Sequence, residues 1–386
     1  MNTLRKEARG NVRGSLARLE PNMTPISPAA AAGPASYRTI QALRAIAALL
    51  VVLYHAFEMW GLRMGSGAAA PSWPNGAAGV DIFFVISGFV MVVAARRLSD
   101  RPGAAWVFVQ HRIVRIVPLY WLLTTAKLVL VFALAELALR STLGADSVLR
   151  SYLFLPVVDS AGHFRPLLPV GWTLTYELIF YLLFALALAV GRDVLRIALP
   201  VFAVFIVLAL ARAPHWPEWT ILFDTIVIEF VFGVVLARMV LRGLALPAVG
   251  AAVLAAIGLA LILTVPQGSE ALRPVTWGIP ALAVVAGTVC LEQRLAQVIP
   301  RWLLALGDAS YSIYLTHGFL LPAIGILVSH LQWGGASALV ATVTLCLLTS
   351  AIVGWSCYLL VERPMTAYLK SRTMRAATSM RSAPAA

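Results

Sequence analysis

The sequence predicts an all-α, polytopic membrane protein of about ten transmembrane helices with both termini in the cytoplasm, and three observations predict it. The first is composition. Of 386 residues, 60% are hydrophobic and 12% charged, and the mean hydropathy is +0.86. Soluble domains carry about 25% charged residues, so this chain cannot cover a water-facing surface, and a soluble enzyme, a coiled coil or a disordered chain is excluded. The second is a succession of apolar stretches near the 20 residues that cross a bilayer as helix. The third is where the bases fall between those stretches.

Residues 1–36 hold Arg, Ala and Pro without periodicity and read as a disordered cytoplasmic tail. No short apolar region follows their charges as in a secretory signal. Ten spans follow, near 40–60, 78–95, 113–135, 171–190, 195–211, 219–237, 243–265, 274–291, 309–329 and 336–361, and a basic cytoplasmic tail at 366–386 closes the chain. With the N-terminus inside, only Arg63, Arg140, Arg150, Arg165, Arg212 and Arg273 fall on outer loops, and Arg44 and Lys127 fall within spans. The other 22 of the 30 Lys and Arg are cytoplasmic, the bias that orients membrane proteins. That placement also explains the net charge of +13 without nucleic acid as a partner. The longest outer loop, about 137–170, contains Asp146, Asp159 and His163. No internal repeat of the transporter kind is visible. Cys290, Cys346 and Cys357 lie singly in apolar stretches, supporting neither a disulfide framework nor a metal site.

An ionisable group inside a bilayer costs about 2.5–3.5 kcal/mol and is a functional candidate for that reason. Span one carries two, Arg44 near its cytoplasmic end and His55 near its outer end. Eleven residues are three helical turns, so they share a face about 16 Å apart. Alone, each also reads as a snorkelling arginine and a histidine bonded to a neighbouring carbonyl. The loop after span two ends in QHRIVRIVPLYW, where Arg112 and Arg115 at i, i+3 form a fork for phosphate oxygens or simply add to the positive-inside charge. In span four, WTLTYELIFY surrounds Glu177 with Trp172, Tyr176 and Tyr181. Glu177 maps to the depth of His55, which suggests a carboxylate orienting an imidazole that acts as general base. No GxSxG or metal motif accompanies the pair. Asp81 at the start of span two reads as a helix N-terminal acid, Ser87–Gly88 as a close-packing pair, and Asp308 and Ser310 as caps of span nine. His317 lies in mid-membrane one turn beyond Tyr314, while Asp224, Glu229 and Glu362 read as structural.

Together these segments resemble the acyltransferase 3 family of integral membrane acyltransferases over roughly residues 38–365. The likeness is carried in order by RAIAALLVVLYH, GVDIFFVISGF, HRIVRIVPLYW, WTLTYELIFY, LGDASYSIYLTH and VERP. The first two look like the exopolysaccharide-production branch, the ExoZ type. The resemblance implies transfer of an acyl group, usually acetyl, from cytoplasmic acyl-CoA to a hydroxyl of a carbohydrate, typically a lipid-linked exopolysaccharide or lipopolysaccharide precursor, in a bacterial inner membrane. It implies no permanently bound cofactor, acetyl-CoA or another acyl-CoA serving as donor substrate, and membrane lipids as surroundings. It assigns catalysis to His55 and donor use to Arg44, Arg112 and Arg115; Ser87, Trp172, Tyr311, Tyr314 and His317 are read beside them as supporting residues. Many members have adjacent arginines after span two, whereas Arg112 and Arg115 are separated by two residues. Direct transfer and an acyl-histidine intermediate are both open. The rival readings are a transporter or flippase of a lipid-linked sugar or anion, which intramembrane charges fit equally well, and a non-catalytic subunit of an export complex.

Overall fold

A computed structural model describes residues 37–64, 72–96, 98, 103–133, 144–159, 162–213, 215–331 and 334–382. The expected tail at 1–36 lies outside them. The helices are α1 (Arg38–Met64), α2 (Gly79–Ala95), α3 (Ala104–Ala133), α4 (Ala145–Tyr152), α5 (Trp172–Ala189), α6 (Val194–Ala211), α7 (Ile228–Leu241), α8 (Ala248–Thr264), α9 (Ile279–Cys290), α10 (Arg301–Asp308), α11 (Ser310–His330), α12 (Gly335–Cys357) and α13 (Arg363–Ser382). Short 3-10 turns lead into α2, α5 and α7, and π turns at Pro274–Gly278 and Tyr358–Glu362 lead into α9 and α13. The isolated bridge Val158–Phe164 is the β-type pairing among the described residues.

Nine helical segments among the described residues are long and apolar enough to cross a membrane, and α8 is a shorter apolar helix. The chain is therefore a multi-pass membrane protein. The expected span at 243–265 shrinks to the 17 residues of α8, about 25 Å of helix, because Pro247 stands at its N-cap in extended conformation and cannot continue a helix backwards. In the other direction α3 starts at Ala104, nine residues before the expected span. Arg112 and Arg115 thus sit within a helix, two and three turns from its start, and not at the end of a loop.

Hydrophobicity does not select one face of these helices, since lipid tails are as apolar as the core. Outward positions such as Leu182, Leu186, Val204, Val207, Val253, Ile257 and Ile352 are exposed. Inward positions are chosen for size and hydrogen bonding. On α1 the buried set includes Ala42, Ala45, Ala47, Ala48 and Ala56, which lets α2, α9, α11 and α12 close around it. A very close approach is that of α2 against α7 at Gly88 and Gly233. A Cβ on Gly88 would fall 2.1 Å from the Phe230 carbonyl oxygen, and one on Gly233 2.0 Å from that of Val85. Gly88 is thus the close-packing residue expected of its Ser–Gly pair.

The Arg38 end of α1 is fastened from outside the helix. Glu292 accepts hydrogen bonds from the backbone N–H of Arg38 at 2.8 Å and of Thr39 at 2.9 Å. The carboxylate satisfies donors that the first turn leaves free and complements the helix dipole. Gln41 adds a hydrogen bond to Asp308 at the end of α10. The helix that carries both Arg44 and His55 is therefore anchored before either is reached.

Candidate active site

Three cavities open along α1. The first, about 240 Å³, is lined by Arg44, Ser87, Arg112, Arg115, Glu177, Tyr181, Tyr311 and Tyr314. Its arginines come from α1 and α3, both near the Arg38 end of the bundle. The Arg112 guanidinium lies 5.5 Å over the Phe108 ring and 5.8 Å over Tyr181, and its Nε is buried without a hydrogen-bond partner. Arg44 makes a long 3.4 Å contact to Gln41 Oε1. Glu177 is the acid lining this cavity, and its Oε1 accepts from Ser87 Oγ at 2.8 Å and from the Tyr181 hydroxyl. The Tyr311 hydroxyl donates to the Ile116 carbonyl at 2.8 Å, tying α11 to α3 beside Arg115. Three cations against Glu177 in the wall and Glu362 close to Arg44 and Arg115 still leave a positive charge inside an apolar shell, which suits an anionic ligand.

The second cavity, about 410 Å³, lies toward the Met64 end of α1 and includes His55, Glu58, Trp172, Tyr176, Arg212, Asp224, Glu270 and Arg273 in its wall. The third, about 110 Å³, lies behind His55 and is bounded by Glu58, Lys127, Leu168, His317 and Pro322 among others. His55 Nδ1 is 2.9 Å from Glu58 Oε2, one turn along α1. A carboxylate accepts only, so Nδ1 carries a proton, and in the neutral ring the lone pair falls on Nε2. The His317 ring stacks on His55 with centroids 5.2 Å apart and planes at 26°. His317 is buried, and its Nδ1 faces the Ile313 carbonyl at 3.3 Å.

The residues picked out in the sequence thus divide. Arg44, Arg112, Arg115, Glu177, Ser87 and Tyr311 come together in the first cavity, while His55, Trp172 and His317 lie in the second and third; Tyr314 borders the first two. The expectation that Glu177 orients the His55 imidazole is corrected: Glu58 is the carboxylate on that ring, and Glu177 lines a different cavity. The cause is visible along α5. Trp172 lines the His55 cavity, Thr173 meets the Tyr314 hydroxyl at 3.0 Å, and one turn later the helix has passed Tyr314, so Glu177 faces Ser87 on the other side.

Further corrections concern charge. Arg273, counted with the outer loops, is 7% exposed and makes two hydrogen bonds to Asp81, at 3.1 and 2.9 Å. The π turn Pro274–Gly278 and the preceding 3-10 turn carry it into the bundle. Asp81, read as a helix-terminal acid, is therefore half of a buried ion pair. Asp308 and Ser310 do not cap α11: its N-cap, Ala309, makes no side-chain bond, and Ser310 Oγ is buried without a partner. Asp224 and Glu362 act structurally, capping Ile226 N at 2.9 Å and accepting from Ser312 at 2.6 Å. Glu58 was missed, though its i+3 spacing from His55 was a readable signal.

A histidine whose ring is held by a carboxylate and a cavity lined by three arginines thus lie within one multi-pass membrane protein. The chain belongs to the acyltransferase 3 family: the family model described as "Acyltransferase domain" matches residues 37–359. It is also 35% identical over 343 residues to "Exopolysaccharide production protein ExoZ" of Rhizobium meliloti (strain 1021), a match covering 86% of this chain and 100% of that protein. No solved structure matches it.

Proposed function

We propose that the protein transfers a short acyl group, acetyl foremost, from acyl-CoA to a carbohydrate hydroxyl, with His55 as general base. The observation that carries this reading is the His55–Glu58 pair in a cavity wall: a neutral imidazole whose Nδ1 proton is held by a carboxylate has its lone pair on Nε2, the arrangement of a general base. Arg44, Arg112 and Arg115 bind the phosphates of the donor in the first cavity, since guanidinium forks suit phosphate oxygens. The family and the base distribution support a cytoplasmic donor, with both termini inside and the enzyme in a bacterial inner membrane. Acyl-CoA is then a substrate and not a resident cofactor.

The second cavity suits the acceptor. Phe164, Trp172, Tyr176 and Phe223 offer apolar faces for sugar rings, while Arg212, Asp224, Gln267 and Glu270 offer partners for hydroxyls. The name of the 35%-identical relative points to an exopolysaccharide precursor, lipid-linked in keeping with an embedded site. In the reaction His55 Nε2 takes the hydroxyl proton as the sugar oxygen attacks the thioester carbonyl. The C–S bond then breaks, and the CoA thiolate leaves and takes that proton from the imidazolium. Glu58 stabilises the transient charge on the ring. Glu177 has no part in this proton transfer.

The test uses purified protein in detergent, where a transporter has no compartment to fill. With acetyl-CoA and a membrane extract containing the glycan precursor, the wild type releases CoA and labels the glycan. His55→Ala should lower that rate by about 10²–10⁴-fold while the protein stays monodisperse and equally abundant. An active His55→Ala protein overturns the assignment.

A further inference from the structure

Two residues stand in the walls of both larger cavities: Val80, one residue into α2, and Tyr314, one turn into α11. Both are buried, at 6% and 7% exposure. The Tyr314 hydroxyl is held at 3.0 Å by Thr173 Oγ1 and at 3.3 Å by the Val170 carbonyl. Thr173 lines the first cavity, and Val170 lines the second. The Phe83 ring meets the Tyr314 ring edge-on at 6.0 Å on one side, and His317 sits 5.8 Å away on the other. The tyrosine is therefore fastened to both chambers it borders.

We propose that Val80 and Tyr314 form the partition between the arginine cavity and the His55 cavity, and that passage between them sets the upper size of the acyl group. The inference rests on the acyltransferase reading given above. If phosphates are bound by Arg44, Arg112 and Arg115 and the base is His55, the acyl end of the donor must meet the acceptor where the two chambers adjoin. Val80 is β-branched and on a helix has essentially one side-chain rotamer, so it is a rigid jaw. Tyr314 swings only by giving up its hydrogen bond to Thr173. Close-packed interiors resist even one added methylene, and an apolar pocket discriminates by about 10–200-fold per methylene. A closed partition also keeps acceptor-side water from the waiting thioester.

The experiment offers equimolar acetyl-, propionyl- and butyryl-CoA, with the same precursor extract, to the wild type, Val80→Ala and Val80→Ile, and separates the acylated products by mass. The wild type should favour acetyl. Val80→Ala should raise the butyryl-to-acetyl product ratio by about tenfold or more, and Val80→Ile should lower the propionyl-to-acetyl ratio. Each ratio comes from one protein sample, so a partly unfolded preparation does not alter it, and Val80→Ile carries the test if Val80→Ala does not fold. Ratios unchanged in the variants, or a wild type that uses butyryl as readily as acetyl, overturn the partition and leave the acyltransferase standing. A wild type that transfers no acyl group overturns the acyltransferase reading, and the partition with it.

Discussion

Arginine occupies two contrasting settings in this bundle. Arg273 is matched: Asp81 receives two of its N–H groups, and the Trp172 and Trp277 rings flank it at 5.9 and 5.3 Å. Arg44, Arg112 and Arg115 are crowded into one cavity with Glu177, whose Oε1 is already taken by Ser87 and Tyr181. A charge in a low-dielectric interior is tolerated when its partner is built in. A surplus of one sign is tolerated only if something from outside completes it. The first setting therefore reads as architecture and the second as a binding site, although the residue type and the membrane depth alone do not separate them.

The largest effect expected from this contrast is on folding. Arg273→Met leaves Asp81 buried without a base and should cost about 3–5 kcal/mol of stability, as breaking a buried ion pair does. Adding Asp81→Asn removes the orphaned charge and should return part of that loss. Arg112→Leu, which removes one of three crowded cations, should cost far less. Thermal unfolding in detergent, followed by loss of the monodisperse species, measures all three variants. Equal destabilisation by Arg273→Met and Arg112→Leu would erase the distinction between matched and surplus arginines.

Glu58 tests a charge that is paired yet lies on a cavity wall, its side chain 27% exposed beside His55 at 33%. If the pairing serves chemistry, Glu58→Gln should fold normally and lower kcat by about ten- to a hundredfold, less than the loss known for a fully buried acid in this role. KM for acyl-CoA should not move if, as proposed, the donor phosphates bind in the other cavity. Steady-state kinetics separates the two constants, and a Glu58→Gln enzyme with wild-type kcat would place the pair with the architecture.

Much of the bundle was legible because a bilayer leaves few options. Long apolar stretches located the spans, and α8 departed from its expected span where Pro247 truncated it. Arg44 was legible because an intramembrane cation is expensive wherever it falls, whereas Arg112 and Arg115 were read as loop charge and joined it only through the family resemblance. The cavity that Glu177 lines was not legible, because residues counted from a helix end say nothing of which neighbour stands between the cavities, and that neighbour, Tyr314, comes from 137 positions away. The burial of Arg273 was not legible because it stands one position before the expected span at 274–291 and its partner, Asp81, lies 192 positions away in sequence. Glu58 was within reach, three residues from a histidine already singled out.

The smallest effect expected concerns geometry with charge held constant. Arg112→Lys keeps a cation in the first cavity but gives up the planar fork and much of the contact with Phe108 and Tyr181. If the surplus arginines bind donor phosphates equally in ground and transition states, KM for acetyl-CoA should rise about tenfold with kcat nearly unchanged. An acetyl thioester of pantetheine, which lacks the phosphates, should be used equally by Arg112 and Lys forms. A loss of the same size with the phosphate-free thioester would mean that Arg112 supports the cavity wall and not the donor, and would move it to the side of Arg273.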